Sequence, residues 1–151
     1  MENNLNDTLI QEYLDLAVNA PEDFGRFQDL LTEDCTWYIT PPGIAFVGKD
    51  KVKKFGAMAM GARTHNEKLK VEIRNWFTDG TNFCVEYYHA AMITAFNIRV
   101  EENVCLVCHM KNGRFDLIHE YVDASRSFLI RFGLKILPII TRTRKTKSKA
   151  T

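Results

Sequence analysis

The sequence predicts an α+β fold: three N-terminal helices laid on a strongly curved antiparallel sheet of cone shape, with a closing C-terminal helix. Three observations carry that reading. Apolar residues recur at helical spacing up to about Ala62, and from Lys68 the period drops to two. The turn signals Asp79-Gly80 and Lys111-Asn112-Gly113 then punctuate the alternating stretches. A bent sheet with helices across its concave side encloses a pocket, so inward-facing strand residues become the candidates for function.

Thr8 followed by Gln11 fits a capping box at the start of the first helix. Leu9, Ile10, Tyr13, Leu14 and Ala17 then fall on one face. Asn19-Ala20-Pro21 ends that helix, and Pro21 can open a second with Phe24, Phe27 and Leu31 inward. A short strand, Cys35 to Thr40, stops at Pro41-Pro42-Gly43. The third helix runs from about Asp50 to Ala62, with Val52, Phe55 and Ala59 at helical spacing. Beyond Lys68, Leu69, Val71 and Ile73 alternate with Lys70, Glu72 and Arg74. Further strands are expected over Asn82–Phe96, Ile98–Met110 and Phe115–Asp123. With no internal repeat and no interior linker, residues 1–140 read as one domain and 141–151 as a flexible basic tail.

Composition narrows the function classes. Of 151 residues, 46% are hydrophobic, enough for one real core. The net charge is +1, but the tail holds Arg142, Arg144, Lys145, Lys147 and Lys149, which leaves the first 140 residues at −4. That mildly acidic body argues against a nucleic-acid surface. The acidic, polar start MENNLNDT has no hydrophobic signal region, so a cytoplasmic location is expected. Phe128, Leu129, Phe132 and Ile136 form a helical stripe suited to covering the cone mouth or a partner subunit. Peripheral membrane contact through this segment and the basic tail is the sharper, less favoured reading.

Four cysteines, Cys35, Cys84, Cys105 and Cys108, lie in apolar segments and read as reduced core residues. Cys105-Leu-Val-Cys108-His109 spells a c-type haem attachment site, but strand parity sends its two cysteines to opposite faces. No second Cys/His pair is spaced to complete a zinc site, so neither metal nor cofactor is expected. His65 falls in a polar loop, and His109 and His119 fall on the outward parity.

Parity also sorts the candidates. Phe83, Val85, Tyr87, His89, Ala91 and Ile93 share a mostly apolar face, which carries Tyr87 and His89 into the cone. On the next strand Glu102 interrupts Ile98, Val100, Val104, Leu106, Cys108 and Met110. On the last strand Ile118, Glu120 and Val122 oppose Phe115, Leu117, His119, Tyr121 and Asp123, and pattern alone leaves its inner face open. If Glu120 faces inward, the cone gathers His89, Glu102, Glu120 and Tyr87 in an apolar chamber. An imidazole beside carboxylates in such surroundings has the properties of an acid/base pair, although it can also serve as a structural network.

LLTEDCTWY, GKDKV, VEYYHA and KNGRFDLIHEYVD together resemble the nuclear-transport-factor-2-like superfamily. The likeness spans roughly Leu9 to Pro138 and is closest to limonene-1,2-epoxide hydrolases and SnoaL-like polyketide cyclases. It implies the cone fold, a homodimer paired through outward sheet faces with Trp76, Tyr88 and Tyr121, and an inward catalytic carboxylate at Glu120. Epoxide hydrolases of the family hold a water with that carboxylate plus Tyr and Asn on the first strand, where this chain has Trp37 and Ile39. Their Arg-x-Asp pair is replaced here by Tyr87-x-His89. The resemblance therefore implies a cofactor-free isomerase, cyclase or dehydratase acting on a small hydrophobic ring compound. His89 and Glu120 would shuttle the proton, Glu102 would support them, and Tyr87 would donate to an oxyanion. Trp37, Ile39, Phe55, Val104, Ile118 and Val122 are the expected substrate walls. The alternatives are an epoxide hydrolase with an altered water site and a non-catalytic binder of hydrophobic ligands.

Overall fold

The computed structural model describes residues 2–19, 21–41, 43–61, 70–93 and 98–123. Helix α1 (Glu2–Asn19) leads into a 3₁₀ helix (Pro21–Leu30), strands β1 (Leu31–Thr40) and β2 (Ile44–Val47), and helix α2 (Lys49–Gly61). Strands β3 (Lys70–Thr78), β4 (Asn82–Ile93), β5 (Ile98–Lys111) and β6 (Arg114–Asp123) follow. The expected closing helix lies outside the described residues.

The six strands form one curved sheet in the order β2-β1-β6-β5-β4-β3. It is mixed rather than wholly antiparallel, because β1 runs parallel to β6, with Trp37 opposite Ile118 and Ile39 opposite Glu120. All other neighbours are antiparallel. The β5–β6 turn works as its sequence implies: Asn112 and Gly113 both take positive φ, 53° and 69°, as a tight Asn-Gly hairpin demands. Gly113 is doubly required, since a Cβ there would come within 3.2 Å of the Leu5 Cβ.

Helix α1 starts six residues before the Thr8 cap read from the sequence. Tertiary contact explains the extension. The buried Asn6 donates Nδ2 to Gly80 O at 2.7 Å and accepts from Gly113 N at 3.2 Å. One side chain thus ties the helix to both hairpin turns and answers two backbone groups that would otherwise be unpaired.

Two bulges decide which residues face inward. On β3 the pairing shifts between Ile73 and Asn75, so Arg74 is extra and Trp76 lands opposite Val85. Its ring lies 6.1 Å from that of Phe83, so Trp76 is an inner-face residue and not part of the outer aromatic set. On β6 the shift beside His109 makes Asp116 the extra residue, so Phe115 turns inward with Ile118, Glu120 and Val122. The parity that looked ambiguous in sequence is one inner face interrupted by one inserted residue.

The core sits between this inner face and the helices. Tyr13 of α1 meets Phe27, Phe83 and Phe115 edge-on at 5.7, 5.7 and 5.8 Å. Phe55 of α2 stacks on Phe46 at 4.3 Å and turns its edge to Trp37 at 6.2 Å. Edge-to-face rings of this kind add about 0.5–1.5 kcal/mol each beyond burial.

Candidate active site

His89 lies opposite Glu102 in the β4–β5 ladder, both on the inner face. Cross-strand neighbours on one face have Cβ atoms about 5 Å apart, so the register alone brings imidazole and carboxylate together. His89 Nδ1 and Glu102 Oε1 are 2.8 Å apart, and the two side chains are only 7% and 9% exposed. Ala91 and Val100, next along the same face, are buried too. A carboxylate that holds Nδ1 fixes the ring's orientation and assigns proton exchange to Nε2.

Glu120 faces inward as the resemblance implied, but it does not face His89. It pairs with Leu106 and Ile39, four residues further along the strands from the Glu102 level. With about 3.4 Å of rise per residue and 4.8 Å between strands, its Cα stands roughly 14 Å from that of Glu102. The expected cluster of four is therefore two stations on one face, because register separates what parity grouped. Tyr87, Val104 and Val122 form the row between them, each opposite the next.

The Glu120 station has a member that sequence reasoning treated only as core. The Tyr13 hydroxyl is pushed well above its ordinary value, chiefly by burial and then by electrostatic interaction with Cys108 and Glu120. Burial likewise drives the Cys108 thiol far up, with Cys84, Cys105 and Glu120 adding to it. Both groups stay protonated, so they are neutral neighbours of Glu120. Only the helical face of Tyr13 was legible beforehand; its neighbour on β6 was not. Trp37 contributes a further polar group: its buried Nε1 has no hydrogen-bond partner among the described residues.

The expected substrate walls are all on the inner side. Trp37, Ile39, Val104 and Ile118 are buried, while Phe55 and Val122 are partly buried against them. The outward assignments also hold for the histidines. His119 stacks on Tyr38 at 4.8 Å, and His109 bonds Asp116 at 2.6 Å. Cys105 and Cys108 lie on opposite faces, which separates the two thiols of the haem-like spelling. His65 lies outside the described residues.

With the fold and the inner face in view, comparison with known families gives a direct answer. The family model of the SnoaL-like domain matches residues 10–118. The chain belongs to the SnoaL-like domain family. Comparison with curated proteins found no match. Among solved structures it is similar to a limonene-epoxide-hydrolase-like epoxide hydrolase of M. tuberculosis, with 23% identity over 90% of this chain and 96% of that one, and a TM-score of 0.65. It is also similar to a Jannaschia protein provisionally assigned as a SnoaL-like polyketide cyclase, with 14% identity, coverage of 79% and 88%, and a TM-score of 0.63. A Catenulispora acidiphila protein of ketosteroid-isomerase-like fold matches at 12% identity, coverage of 75% and 83%, and a TM-score of 0.61. At these identities the similar structures establish the fold. Among the described residues, no helix is long and apolar enough to cross a membrane.

Proposed function

We propose that this SnoaL-like domain is an acid/base enzyme that moves a proton on a small hydrophobic cyclic substrate, as an isomerase, cyclase or dehydratase. The observation that carries the reading is the buried His89–Glu102 contact at 2.8 Å on a mostly apolar inner face. His89 takes and returns the substrate proton through Nε2, and Glu102 holds the ring and balances its charge. Tyr87, on the next inner row, donates to the oxygen on which negative charge develops. Glu120 is the second carboxylate, placed to meet the far end of a substrate that lies along the Tyr87–Val104–Val122 row. No cofactor is needed for this chemistry.

One observation favours a second reading. Tyr13 interacts electrostatically with Glu120, and the buried Trp37 Nε1 has no hydrogen-bond partner among the described residues. Together they would rebuild a water-holding group in place of the Tyr and Asn that Trp37 and Ile39 replace, which would make the domain an epoxide hydrolase. One experiment separates the two. A panel of cyclic unsaturated ketones is incubated in deuterated water, and a panel of terpene epoxides in labelled water. Proton transfer predicts deuterium uptake that falls roughly 10²- to 10⁴-fold in His89→Ala and survives in part in Glu120→Gln. Diol formation that depends on Glu120 and ignores His89 would replace the first reading with the second. Turnover of neither panel, with a hydrophobic ligand retained unchanged, would make the domain a binder.

We infer further that the protein is a homodimer paired through its outer sheet face. Tyr38, Phe77, Val107 and Tyr121 are 38–64% exposed there, an apolar set larger than isolated surface residues account for. Light scattering is expected to give twice the chain mass, and Tyr121→Glu to halve it. A monomeric wild type overturns this assignment.

A further inference from the structure

Cys84 and Cys105 are 21 positions apart in sequence, yet their Sγ atoms stand 3.7 Å apart on neighbouring strands. The ladder explains the meeting. Cys84 lies opposite Val107 and Glu86 opposite Cys105, so the two thiols are diagonal neighbours on the outer face. Both are half-buried and free of any disulfide. Cys105 also lines a cavity of about 460 Å³ together with Arg74, Glu86 and Tyr121 and with Tyr87, Val104 and Val122 of the inner row.

We propose that Cys84 and Cys105 form a two-thiolate binding site for a thiophilic divalent cation of tetrahedral preference, such as zinc or cadmium. The bite decides it. Two metal–sulfur bonds of about 2.3 Å spanning the 3.7 Å between the sulfurs enclose an angle of about 107°, close to tetrahedral. Thiolates are the ligands such ions prefer. Among the described residues no three His, Cys, Asp or Glu side chains converge, so the chain supplies two fixed ligands. Glu86 is exposed, sits opposite Cys105 and already acts on its thiol electrostatically. Its carboxylate is the proposed third ligand and solvent the fourth. Because Cys84 lies between Phe77 and Val107 and Cys105 lies opposite Tyr121, metal binding and pairing through this face compete.

Charges and atoms balance without any redox partner. Two S–H bonds break, two metal–sulfur bonds form, and two protons leave to water. The Cys105 thiol is raised to about 11, chiefly by burial and then by its hydrogen bond with Cys84, so its proton is present at neutral pH and is displaced by the ion. The other two cysteines cannot join. Cys108 faces the core, and Cys35 is buried on β1.

The test is a titration of the full-length, phosphine-reduced, metal-free protein with Cd²⁺, and separately with Zn²⁺. Proton release is recorded, and thiols protected from alkylation are mapped by mass spectrometry. One ion per chain, about two protons released and protection of Cys84 and Cys105 are expected. Cys84→Ser and Cys105→Ser should each weaken binding by more than about 100-fold, beyond the 10- to 100-fold cost of losing a merely supporting group. Glu86→Gln should weaken it roughly tenfold, and Cys35→Ser should leave it unchanged. Binding that persists in Cys84→Ser, or protection mapped to Cys35 and Cys108, overturns the site. The wild-type protection map decides the matter even if a serine variant fails to fold.

Discussion

The sheet carries the same contact twice, once on each face. His89 Nδ1 meets Glu102 Oε1 at 2.8 Å on the inner side, and His109 Nδ1 meets Asp116 Oδ1 at 2.6 Å on the outer side. The distances would rank the outer pair as the better one. Burial reverses the order. The inner side chains are 7% and 9% exposed, whereas the outer ones are 41% and 26% exposed. In water a charge pair 4 Å apart gains about 1 kcal/mol, while an effective dielectric near 20 raises that to about 4 kcal/mol. A histidine–carboxylate contact becomes a candidate catalytic dyad only where its surroundings make the proton's position matter.

The largest effect should come from unpairing the inner contact. Removing one member of a buried pair leaves the other without compensation, at a cost of about 3–5 kcal/mol. Glu102→Ala should cost about 3 kcal/mol, near the lower end of that range. Asp116→Ala on the outer pair should cost only about 0.2–1 kcal/mol, since solvent serves both partners. Urea denaturation of the two variants measures the difference. Equal losses would break the comparison and reduce the inner pair to a surface-like contact.

How much of this was legible beforehand follows the same division between local and non-local information. Parity placed His89 and Glu102 on inner faces because a β-strand alternates strictly, and the Asn112-Gly113 turn fixed where β5 ends. Register was not legible. Nothing in DLIHEYVD reveals that Glu120 lies beside Leu106, far from His89, or that Tyr13 of α1 reaches its neighbourhood. The bulges at Arg74 and Asp116 were equally hidden, since one inserted residue reverses parity without leaving an alternation signature. They moved Trp76 inward and made the last strand look two-sided. Strand β2 was too short to show a period, and the Cys84–Cys105 meeting exists only in the ladder.

The exposed limit of the comparison is Asp79, in the β3–β4 turn. Its Oδ1 accepts from Thr81 N at 2.9 Å and Asn82 N at 2.6 Å, and its Oδ2 accepts from Asn82 Nδ2 at 2.9 Å. These bonds, led by the one from the Asn82 side chain, lower its pKa from 3.8 to about 2 without any help from burial. A carboxyl whose folded value lies below its unfolded value stabilises the fold only while it is ionised. That contribution is therefore complete above about pH 5, shrinks as the pH falls past 3.8, and is gone below the folded value of about 2. Asp79→Asn keeps an oxygen acceptor but cannot titrate. Urea midpoints measured across this range should show the wild type's advantage at neutral pH narrowing steadily in acid, by less than the effect of either histidine pair. A gap between wild type and variant that stays constant from pH 5 to pH 2 would mean that the turn's hydrogen bonds do not distinguish the charged carboxyl from a neutral amide. Geometry without burial would then contribute even less than the outer histidine pair implies.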